Sequence, residues 1–207
     1  EWWAAFYKPN KVTTASELPS GFLSSDRTKN ADYERVPYAF AFRTPDATLD
    51  FVLISVHLRP GSGNEDKQRR KQEISSITKW IKDHDQKEKD FIILGDMNIE
   101  NTGELIDFMP TGFASLNDEC IPTNTNKNSP KPYDQIIYSA ANTGSEIDQT
   151  FDFKVIDLVK IMKERWARIS NKAFPGSPYI HDDFRKYYSD HNPVVFRLKS
   201  TPAGDDD

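Results

Sequence analysis

Phe51-Val52-Leu53-Ile54-Ser55-Val56-His57 and Phe91-Ile92-Ile93-Leu94-Gly95-Asp96-Met97-Asn98 decide how this chain reads. Each is a short apolar strand that runs into polar groups able to do chemistry. A third segment, Ser189-Asp190-His191-Asn192-Pro193, leads the other way, from such groups into Val194-Val195-Phe196. One junction of this kind is ordinary. Three of them suggest a single site along one edge of a sheet, because buried strands fix the backbone and the residues past their ends project into the crevice beside it.

Around these segments strands and helices alternate. Strands are predicted at 1–7, 38–42, 49–57, 90–95, 134–139, 151–155 and 193–198. Thr44-Pro45-Asp46-Ala47 is a tight turn that favours antiparallel neighbours. Helices are predicted at 65–83, 102–109 and 157–170. In the first of these Ile74, Ile77 and Ile81, with Trp80 beside them, form a core-facing stripe opposite a charged face. Residues 13–35 and 117–132 are polar and turn-rich, and 171–188 is expected to be an ordered loop. The class is α/β (α+β) with a sheet core.

At 207 residues the chain fits one domain, residues 1–199, with 200–207 as a disordered tail or linker. No apolar run approaches the length of a bilayer crossing. The single cysteine, Cys120, excludes an intramolecular disulfide. A net charge of −5, from 27 basic and 32 acidic residues, provides no global field for nucleic acid. An enzyme that meets phosphate through a divalent cation stays open. Glu1-Trp2-Trp3-Ala4-Ala5-Phe6-Tyr7 opens in apolar residues with nothing ahead to cover them, so further residues are expected before Glu1.

In Gly95-Asp96-Met97-Asn98 the glycine permits a tight turn, and Asp96 and Asn98 can point the same way. A carboxylate beside an amide can orient a water or hold a hard cation, while the amide donates to a developing oxyanion. Taken alone, the string fits equally well a turn in which both side chains cap backbone. Asp190 beside His191 puts an oxygen ligand next to a proton carrier that titrates near neutrality. His57 gains weight only as the third polar residue at a strand end. Asp134 is placed to hydrogen-bond a histidine and set its tautomer. His84 and His181 read as surface residues.

Taken in order, Gly95-Asp96-Met97-Asn98, Tyr133-Asp134-Gln135-Ile136 and Ser189-Asp190-His191-Asn192-Pro193-Val194 resemble successive motifs of the endonuclease/exonuclease/phosphatase superfamily. Ser55-Val56-His57-Leu58, Glu1-Trp2-Trp3, Tyr7-Lys8-Pro9-Asn10-Lys11-Val12 and Arg35-Val36-Pro37 are similar to its deoxyribonuclease I-like branch. The resemblance implies a four-layer sandwich of two mainly antiparallel sheets flanked by helices. It implies that His57 and His191 flank the scissile phosphate, backed by Glu1 and Asp134 respectively. Asp96 would orient the attacking water or share the cation, Asn98 would stabilise the pentacovalent phosphorus, Asp190 would be a metal ligand, and Arg35 would contact phosphate. The implied chemistry is hydrolysis of DNA assisted by Mg²⁺, with Ca²⁺ or Mn²⁺ as alternatives.

The family's first two strands carry an Asn and a Glu that help hold the metal, and the chain has no counterpart of them. It is therefore expected to correspond to the C-terminal part of such a domain, a monomer that is inactive without the missing segment. Alternatives within the superfamily are a sphingomyelinase or an inositol-phosphate phosphatase. Against the phosphatases, Tyr133-Asp134-Gln135 lacks their Trp and Arg; against sphingomyelinase, no exposed aromatic hairpin is legible. A binding module without activity is the third alternative. The resemblance suggests a secreted bacterial enzyme, although the sequence does not fix the compartment.

Overall fold

The structure is a computed structural model that describes residues 2–28, 30–169, 174 and 179–200. Its strands are β1 (Thr13–Thr14), β2 (Gly21–Phe22), β3 (Tyr38–Arg43), β4 (Asp50–His57), β5 (Phe91–Asp96), β6 (Phe113–Ser115), β7 (Asp134–Ser139), β8 (Lys154–Val155) and β9 (Val194–Val195). Its helices are α1 (Asn64–Lys82), α2 (Thr102–Phe108), α3 (Leu158–Ile169) and α4 (His181–Tyr187). The class is mixed α/β, as the alternation of elements implied.

One large sheet runs in the order β1-β3-β4-β5-β7-β6, with β2 also on β3, and β8 pairs with β9 in a second, two-stranded sheet. Every pairing is antiparallel except β4 with β5. Parallel neighbours need a crossover, and α1 supplies it. Strand β4 therefore ends at the same sheet edge as β5, and β7, running back, begins there.

Alternation along the strands divides the core into two layers. Val52, Ile54, Val56, Phe91, Ile93 and Ile137 pack with Ile74, Ile77 and Ile81 of α1 and with Leu105 and Phe108 of α2. The stripe read from the sequence is thus the helix's buried face. On the other side, Ile92, Ile136 and Tyr138 meet Phe153, Val194, Phe196 and Leu198 around the small sheet. Helix α1 carries Glu65 and Asp66 in its first turn and Lys79 and Lys82 in its last, which complements its dipole.

Several expectations change. Residues 2–7 form no strand: Trp2 and Phe6 are almost wholly exposed, and the segment is anchored by the Trp3 indole N–H to the Val36 carbonyl at 3.0 Å and by Tyr7 edge-on to Phe42. Apolar composition does not make a strand where no partner edge is offered. The end of the expected loop 171–188 is helix α4, with Asp182 and Asp183 in its first turn, where they complement the helix dipole, and with Phe184 buried. The strands at 151–155 and 193–198 shrink to the two-residue β8 and β9, with Leu198 adding one isolated antiparallel bridge to Ile147. Short β1, β2 and β6 were not anticipated, since two or three residues carry no readable period. His84 is half-buried, stacked on Trp80 with ring centroids 4.1 Å apart. His181 is also half-buried, its Nδ1 3.0 Å from the Tyr179 hydroxyl. Neither is a free surface residue.

Candidate active site

The cross-strand register builds the site. His57 pairs with Asp96 across β4 and β5, and Asp96 pairs with Asp134 across β5 and β7. The two-residue period puts all three side chains on the face shared by Leu53, Leu94 and Ile136. They form a row across three adjacent strand ends.

Gly95 makes the row possible. Its φ of +134° is open to glycine, and a Cβ there would lie 2.2 Å from the Val56 carbonyl oxygen. Past the strand end the chain turns at Asn98, with φ +53°. The Asn98 N–H donates to Asp96 Oδ1 at 2.9 Å, and its side-chain amide donates to the Leu58 carbonyl at 3.1 Å. The capping role that the sequence left open for Asp96 is therefore real, and it leaves Oδ2 for chemistry.

That oxygen lies 3.4 Å from Nε2 of His57 and 3.4 Å from Nε2 of His191. His191 reaches it from a different part of the chain, with its Nδ1 2.8 Å from Asp134 Oδ2. The carboxylate fixes the ring so that Nε2 faces the site. Together with Asn98, Asp190, Tyr133, Pro60 and Gly61, these residues line a cavity of about 520 Å³.

The electrostatics are asymmetric. Burial disfavours a charged His191, but the hydrogen bond to Asp134 and the charges of Asp134, Asp96 and Asp190 outweigh it and raise its pKa to about 9. At neutral pH this ring is an imidazolium. Burial, with Asp134 adding to it, lifts the Asp96 carboxyl above the usual range, against the opposing pull of His191, the Asn98 N–H and His57. Tyr133, its ring centroid 5.9 Å from that of His191, is also pushed up by burial and by Glu100. A basic carboxylate between two imidazoles, one of them charged, can take a proton from water on one side and offer one on the other.

Two supports were not legible beforehand. The first is Thr123-Asn124-Thr125, inside the stretch read as a loop. The Asp134 N–H donates to Thr123 Oγ1 at 2.8 Å, and the Asn192 N–H donates to the Thr123 carbonyl at 2.6 Å. Thr125 bonds Asp190 and Ser189 carbonyls through its N–H and hydroxyl, at 2.7 and 2.9 Å. Asn192 donates to the Asn124 carbonyl and accepts from the Leu158 N–H at the start of α3. The segment thus holds both Asp134 and the His191 loop. Its sequence signal was a run of side chains that bond backbone, which marks turns as often as scaffolds.

The second support is buried Arg70 of α1. It donates to Glu104 of α2 and to the carbonyls of Arg59 and Gly61 at 2.9 and 2.8 Å, so it fixes the loop that carries Pro60 and Gly61 into the cavity wall. Glu73 adds to it by accepting from the Arg59 N–H at 2.9 Å.

The site residues expected from sequence are distributed as follows. His57, Asp96, Asn98, Asp134, Asp190 and His191 are brought together in one cavity. Arg35 stands behind it, its Nη1 3.4 Å from the carbonyls of His57 and Leu58. Glu1 lies outside the described residues. Among the described residues no three His, Cys, Asp or Glu side chains converge as a metal-ligand set. In kind, Asp96 and Asp190 are hard oxygen donors, and Mg²⁺ commonly uses only one or two carboxylates, with waters and substrate phosphate completing its shell.

A scan of protein-family models finds no match, and no curated protein matches the sequence. Among solved structures, the chain is similar to an endonuclease/exonuclease/phosphatase family protein of Bacteroides thetaiotaomicron, with TM-score 0.55 and 17% identity over 93% of this chain and 67% of that one. A mannosyl-6-phosphatase of the same organism gives TM-score 0.57 and 17% identity, over 93% of this chain and 69% of that one. The catalytic domain of human Nocturnin, solved with bound sulfate, gives 0.54 and 17%, over 93% of this chain and 61% of that one. The chain therefore has the fold of endonuclease/exonuclease/phosphatase family proteins and spans about two-thirds of the length of these neighbours.

Proposed function

We propose that this chain carries the reaction centre of a phosphodiesterase that hydrolyses DNA by in-line attack of water on phosphorus. The observation that carries the reading is Asp96 Oδ2 set 3.4 Å from both histidine Nε2 atoms, with Asp134 bonded behind one of them. Asp96 orients the water and draws its proton. Charged His191 donates from Nε2 to a phosphate oxygen or to the departing oxygen. His57 holds the opposite side of the phosphate, and the Asn98 amide, already oriented by its bond to Leu58, faces charge that develops on the equatorial oxygens.

Asp190 and Asp96 would hold the cation, Mg²⁺ by preference, which when bound would neutralise phosphate charge in an otherwise acidic protein. The resemblance of Ser55-Val56-His57-Leu58 and Arg35-Val36-Pro37 to the deoxyribonuclease I-like branch supports DNA over other esters. Glu1 would back His57. The test is hydrolysis of plasmid DNA, sphingomyelin and inositol phosphates by the full natural chain, with and without EDTA. Nicking of plasmid that EDTA abolishes is expected. Turnover of inositol phosphates or sphingomyelin without nicking would overturn the assignment to DNA.

A further inference from the structure

We propose that the pocket next to the reaction centre, lined by Trp3, Phe22, Arg27, Thr28, Arg35 and Val36, is a nucleotide subsite that takes the base and neighbouring phosphate of a single-stranded nucleic acid. This rests on the phosphodiesterase reading and specifies its substrate as one that extends beyond the scissile phosphate.

The pocket has a volume of about 400 Å³, and its chemistry is unlike that of the first cavity. The Arg27 guanidinium lies 4.6 Å over the Phe22 ring and has no carboxylate partner among the described residues, so its N–H edge is left for an anion. Phe22 is 39% exposed and is braced by Tyr38 edge-on at 5.0 Å. The Trp3 indole is fixed by its bond to Val36. Aromatic surface beside a guanidinium suits a planar base joined to phosphate, whereas an isolated phosphate or sugar phosphate would use only the cation. The one carboxylate in the wall, Glu34, is engaged by Arg59 at 3.3 Å. In a chain of net charge −5, such local cations must do what a global field cannot.

Pocket and cavity are mechanically joined. Arg35 lines the pocket while its guanidinium bonds the carbonyls of His57 and Leu58. The buried Glu73 carboxylate accepts from the Glu34 N–H at 2.6 Å and from the Arg59 N–H at 2.9 Å, so the loops that border the two spaces are held by one group. A strand of nucleic acid crossing the His57 end of β4 would place consecutive units in the two spaces.

The experiment has a binding arm and a kinetic arm. In the first, the 5′-phosphorylated dinucleotide pTpT is titrated against tryptophan fluorescence. Quenching is expected, lost in Trp3→Phe and shifted at least fivefold to weaker binding in Arg27→Ala. In the second, the ratio of kcat/KM for an oligothymidylate to that for bis(4-nitrophenyl) phosphate should fall about tenfold in Arg27→Ala. Lys71→Ala, which removes a different exposed cation, should leave the ratio unchanged. If pTpT binds through Arg27 but the full natural chain hydrolyses neither ester, the phosphodiesterase reading fails and the subsite stands. Absence of quenching, binding that ignores Arg27, or an equal loss on both esters overturns the subsite.

Discussion

Replacing Asp134 by Asn tests the electrostatic core of the site with almost no change of shape. The carboxylate is 2.8 Å from His191 Nδ1 and is the strongest of the interactions that raise this ring's pKa from 6.5 to about 9. An amide cannot supply that charge, and burial then acts unopposed by it, so the His191 pKa in Asp134→Asn should fall to about 7 or below. Linkage gives the energy. A folded pKa above the unfolded one stabilises fully below pH 6.5 and is lost as pH rises through about 9. At 1.36 kcal/mol per unit the ceiling is about 3 kcal/mol. The side chain is 27% exposed, and solvent screening brings this to about 2 kcal/mol.

Two assays check this. An NMR titration of the His191 ring reads the pKa directly. Urea unfolding at pH 6 and pH 9.5 should show wild type losing about 2 kcal/mol more than Asp134→Asn over that interval. A His191 pKa that stays above 8 in the variant would refute the role given to Asp134. The amide can also donate to Nδ1 and reverse the tautomer, so turnover should fall roughly 10²–10⁴-fold at neutral pH.

Four further outcomes are expected. Gly95→Ala meets the Val56 carbonyl at 2.2 Å with a φ of +134°, and should destabilise by about 3 kcal/mol or more in thermal or urea unfolding. Arg70→Met leaves Glu104 and two loop carbonyls without their donor and should cost about 3–5 kcal/mol; hydrogen exchange should rise at residues 59–61 in the same variant. Thr123→Val removes the acceptor for the Asp134 N–H and should cost about 1–3 kcal/mol, read by urea unfolding. His57→Ala and His191→Ala should each lower phosphodiester turnover by about 10²–10⁴-fold with circular dichroism little changed, and His191→Ala should in addition lose about 2 kcal/mol of stability at neutral pH because Asp134 loses its partner. Near-wild-type turnover in either would remove that histidine from the chemistry.

Local chemistry made much of this legible. The apolar periods at 51–57 and 91–94 gave β4 and β5, and the isoleucine stripe gave α1, because burial of one face imposes a period that a single chain displays. Gly95 announced a turn that only glycine can make. Periodicity failed where pairing was short, as in β1, β2 and β6, and at Trp2 to Tyr7, where apolar residues found no strand to join.

The sequence by itself determined which side chains could do chemistry: His57, Asp96, Asn98, Asp134, Asp190 and His191 stand at strand ends in the right order. It could not determine that they meet. That depends on the parallel register of β4 and β5, on β7 running back from the same edge, and on Thr123 to Thr125 holding the His191 loop against them. The scaffold of Arg70, Glu73 and Glu104 was equally hidden, since buried polar groups find partners wherever the fold brings them, at separations no local pattern encodes. Residue identity is written along the chain, whereas register and long-range hydrogen bonds are properties of the packed sheet.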